Sequence, residues 1–397
     1  MNKKPSPSEK LSSWSIAKRR RFVANKAKLS PQERLEYNRG GIISKNAEHW
    51  VENAIGIYSL PLGIADRFVI NGKKYLVPLC TEEPSVIAAA CYGAKIASLS
   101  GGFWAQMESN LTTAEVLLTN IPDIALALKS IEEKKDLILQ QLAIEYPRLY
   151  AASGGCKSID MRPLPHLKES GQALAVLLFI DCLEAQGANL ASQLAEKIAP
   201  TLQKLTKARR SFSIVSNLST QKTVEAFCLL PIKKLATKGL DGGFVAEGMI
   251  ELSRLAEVDP YRACTHNKGI LNGTEAVIVA TGNDPRANTA GAHAYAAMEG
   301  SYKPLSRISM SDTEYLKAEI KIPLSVGTKG GTIRNHKLAV LNQKLLDITS
   351  AKELAMVAAC VGLATNIASL RAIASEGISH HHLALHNRFS AKKALVK

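Results

Sequence analysis

"YRACTHNKGILNG" (residues 261–273) packs an arginine, a histidine, two asparagines, a lysine and two glycines into thirteen positions. It shows no alternation of charge and no clean apolar stripe, so residues 265–269 read as a turn. Lys268 is then either a solvated surface lysine or an ammonium held at a reacting centre, with Gly269 beside it permitting close backbone approach. The apolar run that follows, "TEAVIVATGND" (274–284), reads as a buried strand ending in a turn.

Outward from this stretch the texture alternates. "GGFVAEGMIELSRLAEVDPYRA" (242–263) opens a helix, and "GAHAYAAMEG" (291–300) reads as a small-residue helix. A strand pair over 304–327 leads to the glycine cluster "VGTKGGT" (326–332), and a long alanine-rich helix spans 350–378. Towards the N-terminus, "SPQERLEY" (30–37) starts a helix, with Ser30 as N-cap, Pro31 in the first turn and Glu33 completing a capping box. "FVINGKKYLVPL" (68–79) reads as a hairpin about Asn71-Gly72, a pair that accepts positive φ in a tight turn. Residues 84–98 form a helix packed by its alanines. Between 111 and 215 the pattern changes: helical stretches over 113–145, a strand "ALAVLLFIDCL" (173–183), a helix "ANLASQLAEKIAP" (188–200) and a strand "SFSIVSNL" (211–218). This βαβ-like alternation has the character of an inserted module.

At 397 residues the chain is long enough for two or three domains. Its longest apolar stretch (173–183) carries an Asp and falls short of the about 20 residues that span a bilayer. The start, "MNKKPSPSEKLSSWS", lacks the apolar core of a secretory signal. Seven scattered cysteines with no CxxC pair suit a reducing cytoplasm and argue against a disulfide framework or a zinc site. The net charge of +15, partly local to "AKRRRFVANKAK" (17–28), asks for an anionic partner or marks a solvated helical face. Small-ligand phosphates fit that request better than nucleic acid, since aromatics make up only 5% of the chain and no nucleic-acid-binding signature is present. Neither G-x-G-x-x-G nor a Walker A loop occurs, so any nucleotide is held by other means.

Four clusters set catalytic-type side chains beside glycine or proline: "CTEEPSV" (80–86), "THNKG" (265–269), "ATGNDPRA" (280–287) and "SHHHLALH" (379–386). Each alone has a plain reading. Glu82-Glu83 before Pro84 suits an exposed turn, Asp284 a turn or N-cap, and His380–His382 a surface tract or weak metal binder. His382 and His386 stand four apart, but no third metal ligand accompanies them.

Taken together and in order, the clusters resemble 3-hydroxy-3-methylglutaryl-coenzyme A reductase, the class II soluble prokaryotic type. The likeness runs from about residue 30 to 388. It rests on "ENAIGIYSLPLGIADRFVINGKKYLVPLCTEEPSV" (52–86), "VDPYRACTHNKGILNG" (258–273), "VATGNDPRANTAGAHAYA" (279–296) and "EGISHHHLALHNR" (376–388). The resemblance implies an α+β fold. Residues 1–110 and 216–377 would form a large mixed helix/sheet substrate domain. Residues 111–215 would be an inserted, smaller ferredoxin-like (non-Rossmann) dinucleotide-binding domain, and 378–397 a short C-terminal lid. It also implies two successive hydride transfers between NADPH or NADH and the thioester carbon of HMG-CoA, giving mevalonate and free CoA. The reaction serves isoprenoid synthesis in one direction and mevalonate breakdown in the other.

By position, the family's lysine that stabilises the oxyanion is Lys268 and its proton-donating glutamate is Glu83. Asp284 would sit between them and tune both, and His382 would protonate the departing CoA thiolate. The chemistry agrees: a preorganised ammonium favours the alkoxide formed from the carbonyl. An imidazole of pKa about 6.5 suits a thiolate whose conjugate pKa is about 8.5. Arg262, Ser85 and Asn272 match the substrate-carboxylate ligands, and Lys26 and Lys28 lie where relatives meet CoA. Where the family's cofactor loop reads D-A-M-G-x-N, this chain has "EAQGAN" (184–189), which supplies Glu184, Gln186, Gly187 and Asn189; Asn217 joins them. Tyr146 replaces an acidic residue of NADH-specific relatives, which favours NADPH with Arg148 or Lys157 as phosphate partners. Pro285 and Thr289 also depart from close relatives, which carry a Glu in the latter place. No metal is implied. The partners are HMG-CoA, mevalonate, CoA and a second copy, with the active site at a homodimer interface and hexamers as a larger alternative. Membrane is excluded, and the expected compartment is the cytoplasm. A CoA-thioester hydrolase or acyl transferase attacking through Cys264 or a histidine is the competing enzyme reading. A non-catalytic CoA- or nucleic-acid-binding homologue is the third.

Overall fold

The computed structural model describes residues 11–41, 44–167, 171–237, 239–331, 333–375 and 377. The expected lid (378–397), with His382 and the rest of the histidine cluster, lies outside the described residues. Polar helices α1 (Ile16–Lys26), α2 (Pro31–Arg39) and α3 (Ser44–Trp50) lead to the hairpin of β1 (Leu62–Ile70) and β2 (Lys73–Cys80), then α4 (Val86–Ser98) and β3 (Phe103–Gln106). Next come β4 (Leu111–Ile121), α5 (Ile124–Glu133), α6 (Lys135–Glu145), α7 (Pro147–Ala151), β5 (Gly155–Leu167), β6 (Gly171–Asp181), α8 (Ala188–Thr206) and β7 (Arg210–Val215). The chain continues through β8 (Thr223–Pro231), α9 (Gly242–Val258), α10 (Pro260–Ala280), α11 (Pro285–Ala296), β9 (Ser306–Met310), β10 (Tyr315–Pro323), α12 (Lys337–Leu346) and α13 (Ala351–Ile373).

Two sheets carry the fold. The larger has the order β2-β1-β3-β8-β10-β9, and the smaller β5-β6-β4-β7. Every pairing of the smaller sheet is antiparallel, and with α5–α7 and α8 as crossovers its connectivity is β-α-β-β-α-β, the ferredoxin-like arrangement. Val116, Leu118, Val176 and Leu178 pack on Ile131, Ile138, Leu142 and Leu194 of its helices in a core separate from that of the larger sheet. Local signals behave as their chemistry dictates. Asn71 and Gly72 adopt φ of 49° and 78° in the β1–β2 turn. Ser30 and Glu33 close the capping box of α2.

The larger core is organised around α13. By length and composition α13 could cross a membrane, but 78% of its most apolar window is buried inside the protein. Its neighbours approach through glycine: a Cβ on Gly273 of α10 would lie 2.7 Å from the Val361 carbonyl, and one on Gly93 of α4 would overlap the Ala364 backbone.

Two expectations are corrected here. Residues 260–280 form one helix, with neither a turn at 265–269 nor a strand after it. Asp259 caps it by accepting from the Tyr261 and Arg262 N–H groups, and Pro260 opens its first turn. Gly273 seats the helix against α13, and the β-branched run that suggested a strand is buried against the same core, so packing overrides propensity. The other correction is residues 111–121, expected within a helical stretch; they form the inner strand β4, with helices only from Ile124. Buried Ala114, Val116 and Leu118 alternate there with half-exposed Glu115 and Leu117, a period of two that a helix cannot use.

Gly93→Ala drives a methyl into backbone atoms of α13, which cannot move aside cheaply. The expected loss is about 1–3 kcal/mol, read as a fall of several degrees in Tm.

Candidate active site

The turn after β2 and the middle of α10 meet at one ion pair. Lys268 Nζ donates to Glu83 Oε2 at 2.6 Å, and Asn272 Nδ2 donates to Glu83 Oε1 at 3.4 Å. Lys268 and Asn272 stand four apart on one helix and so share a face. Glu83 is aimed by its own turn, its N–H donating to Thr81 Oγ1 at 3.1 Å. Ser85, which follows, holds φ at 78° without being glycine, and its hydroxyl donates to the Pro84 carbonyl. Such strain is stored where a turn must present side chains in one direction. The side chain of Lys268 is 59% exposed and that of Glu83 30%, so the single chain leaves this ammonium open to water.

Arg262 lies six positions before Lys268 and faces a different side of α10. Burial lowers its pKa, and its Nε is buried with no hydrogen-bond partner among the described residues. One turn further, His266 Nε2 stands 2.7 Å from Ser306 Oγ, which itself donates to Asn366 Oδ1 at 2.9 Å. With the serine proton committed to Asn366, His266 must donate from Nε2, which leaves Nδ1 as a buried acceptor with no partner. Burial, then the nearby Arg262 charge, pushes the His266 pKa down to about 4.

Asp284 is engaged by its own helix. It is the N-cap of α11, accepting from the Arg286 and Ala287 N–H groups at 2.9 and 3.1 Å, with the Arg286 guanidinium 3.9 Å away. Among the described residues it makes no hydrogen bond or ion pair with Lys268 or Glu83. Its flanking asparagines reach the loop after β10. Asn283 donates to the Gly327 carbonyl and accepts from the Gly327 N–H, and Asn288 does the same for Ser325. Thr289 instead donates to the carboxylate of Glu275 on α10.

That loop holds the "EAQGAN" segment in turn. The Glu184 carbonyl accepts from the Thr328 and Lys329 N–H groups. Its carboxylate accepts from the Thr328 hydroxyl at 3.0 Å and from Ala351 N–H, at the start of α13, at 2.6 Å. Glu184 Oε2 therefore clamps this segment to the loop after β10 and to the start of α13. Gly187 is the N-cap of α8 with φ of 96°; a Cβ there would collide with Cys182 and lie 2.7 Å from Thr112 Oγ1. No side chain caps α8, and Asn189 in its first turn is exposed. A helix N-terminus with uncapped N–H groups behind a tight glycine turn suits a phosphate, so these residues fit a dinucleotide.

The other expected residues lie further out. Tyr146 joins α6 to α7, half-buried against the smaller sheet's core, and burial raises its pKa. Lys157 donates to the Ser153 and Gly154 carbonyls, and Arg148 is exposed. Asn217 is exposed, and its carbonyl comes so close to Gly291 of α11 that a Cβ there would lie 2.5 Å away. Lys26 and Lys28 are exposed around the end of α1. Cys264 is exposed on α10, and among the described residues no histidine or carboxylate bonds its thiol.

Comparisons with known proteins agree with one another. A family model described as hydroxymethylglutaryl-coenzyme A reductase matches residues 15–387. The 3-hydroxy-3-methylglutaryl-coenzyme A reductase of Archaeoglobus fulgidus is 40% identical over 375 residues, covering 94% of this chain and 84% of the relative. The probable reductase of Borreliella burgdorferi is 34% identical over 337 residues, covering 85% and 76%. Among solved structures, the Streptococcus pneumoniae reductase superposes with a TM-score of 0.87 at 35% identity, over 92% of this chain and 98% of that one. A structure of the class II enzyme from the same organism, bound to NADPH in open conformations, gives 0.87 at 36% identity with the same coverage.

The folded pKa of His266 lies below the ordinary value near 6.5, so the unfolded chain takes up a proton first as pH falls. Stability from this residue is full above pH about 6.5 and is lost towards pH about 4, by up to about 1.4 kcal/mol per unit. Denaturant melts across that window detect the slope, and His266→Gln flattens it.

Proposed function

The chain belongs to the hydroxymethylglutaryl-coenzyme A reductase family, and from that premise we propose how its residues divide the work. It is a reductase interconverting HMG-CoA with mevalonate and CoA. The observation that carries the site assignment is the 2.6 Å Lys268–Glu83 pair. Bound NADPH or NADH supplies the hydride. Lys268 holds the oxygen of the substrate thioester carbonyl as it gains charge, and Glu83, after taking up a proton from solvent and so giving up its ion pair with that ammonium, passes the proton to this oxygen. Asp284 adds its carboxylate beside them once the site is assembled, and His382 gives a proton to the CoA sulfur.

Arg262, with its unpartnered buried Nε, takes the substrate carboxylate together with Ser85 and Asn272. Lys26 and Lys28 meet the CoA phosphates. Gly187, Gln186 and the α8 N-terminus hold the dinucleotide, Asn189 and Asn217 border it, and Glu184 braces the loop. Tyr146 in place of an acid, with exposed Arg148 and Lys157, supports NADPH over NADH. Residues 111–215 act as the dinucleotide module, 1–110 with 216–377 as the HMG-CoA-binding unit, and 378–397 as the lid, working in the cytoplasm.

A homodimer completes the site. Val51, Ile55 and Tyr58 line an irregular segment at 60%, 106% and 90% exposure, an apolar strip that a second copy would cover. Hexamers are a further packing of such dimers. The hydrolase reading gains nothing from Cys264, whose thiol no histidine or carboxylate bonds among the described residues.

The decisive assay follows absorbance of each reduced cofactor with HMG-CoA; release of CoA without cofactor oxidation would overturn the reductase reading. Lys268→Met and Glu83→Gln each lower kcat by about 10²–10³ while leaving the HMG-CoA KM within a few-fold. Ile55→Asp converts the dimer to a monomer in light-scattering chromatography and abolishes turnover. A wild-type chain that is an active monomer would refute the dimer.

A further inference from the structure

Among the described residues Lys222 is the largest charged side chain in the interior, with no exposed surface. It lies in the short turn before β8, and its Nζ donates to the Gln186 carbonyl at 2.8 Å and to Ser325 Oγ at 3.3 Å. Both acceptors are neutral, and among the described residues the ammonium makes no ion pair. Thr112 Oγ1 donates to the same Gln186 carbonyl at 3.0 Å, and the Cys182 thiol reaches the Gly187 carbonyl at 3.7 Å. The carbonyls of residues 186 and 187 are thus both pinned inward, directly before the uncapped N–H groups of α8. Asp181 acts on this charge without bonding to it, and a buried cation with no bonded counter-charge is costly unless something compensates it. The missing charge is negative, and the open side of this turn is where an anion would sit.

We infer that Lys222 is the positioning residue of the cofactor loop, holding the Gln186 carbonyl from behind while its charge draws the dinucleotide pyrophosphate to the start of α8. The inference rests on the assignment of residues 184–189 to the cofactor. Burial lowers the Lys222 pKa to about 8, with Cys182 and Asp181 acting on it in the opposite sense. Burial raises the pKa of the Cys182 thiol in turn. Asp181 already accepts from the Leu183 N–H. Ser325 and Thr112, the other side chains at this turn, do not titrate in this range. Below pH about 8 the lysine is charged; above it a neutral amine can still hold Gln186 but no longer attracts the pyrophosphate. Cofactor affinity therefore falls as pH rises through this value.

The test is calorimetric binding of NADPH and of NADH, without substrate, to the wild type, Lys222→Arg and Lys222→Met at pH 7 and 9.5. The wild-type Kd should rise about tenfold between the two pH values. Lys222→Arg should stay tight at both, since guanidinium keeps its charge. Lys222→Met should be weak and unchanged with pH, and HMG-CoA binding should be the same in all three. A Lys222→Met protein within twofold of wild type at pH 7, or a wild type that does not weaken at pH 9.5, overturns the inference. If Lys222→Met does not fold by circular dichroism, the arginine variant decides: alkaline weakening that persists there is equally fatal. A wild type that binds neither cofactor refutes the cofactor loop itself, and the role of Lys222 with it.

Discussion

The close contact of α10 with α13 is the constraint from which the rest of the molecule follows. At Gly273 and Gly362 the two helices come within backbone reach, and Thr365 Oγ1 donates at 2.9 Å to the carbonyl of Gly269, the residue next to Lys268. Because α13 is buried along nearly its whole length, it cannot yield, and α10 takes its straightness and rotation from it. That rotation puts Lys268 and Asn272 on the face that meets the Glu83 turn, and Arg262 and His266 on another. A single seam of small residues thereby sorts the polar groups of one helix into two functions.

A second constraint is polar rather than apolar. Asn283 and Asn288 flank Asp284 and each make two bonds to the loop after β10, which binds the Glu184 backbone in turn. Gly327 can sit there only as glycine, since a Cβ would lie 2.9 Å from the Ala185 carbonyl carbon. These groups are buried and satisfied, so displacing any one of them strands a partner away from water. The turn carrying Asp284 and the turn introducing α8 are therefore held in one rigid polar frame, although they belong to different sheets.

What the sequence made legible was local chemistry. The Ser30 capping box and the Asn71-Gly72 turn depend on residues a few positions apart, and their residue types admit few other conformations. The pairing of Lys268 with Glu83 was legible only through resemblance, because 185 positions separate the partners. The helical state of 260–280 was hidden: Gly269, Gly273 and a β-branched run all argue against helix, and the packing that overrules them comes from α13. Lys222 was hidden for the same reason. "STQKTVEAF" (219–227) looks like a solvated lysine before a strand, and the groups that bury it come from 36 and 103 positions away. The clamping role of Glu184 likewise depends on Ala351, at the far end of the chain.

The exposure of the Lys268–Glu83 pair then sets a requirement on the chemistry. In open water an ion pair of this kind contributes little, about 0–1 kcal/mol, because solvent answers both charges. Stabilising an oxyanion by several kcal/mol needs the same ammonium in a site from which water has been displaced. Nothing on α10 or the Glu83 turn can provide that cover, since the helix is fixed by α13 and the turn by β2. Closure has to come from atoms outside these two elements. In the proposed dimer they would attach at the exposed segment around Ile55, which runs into β1, whose hairpin partner β2 leads directly into the Glu83 turn. A partner docked there would reach the carboxylate through one continuous hairpin, so that assembly and the exclusion of water would be the same event.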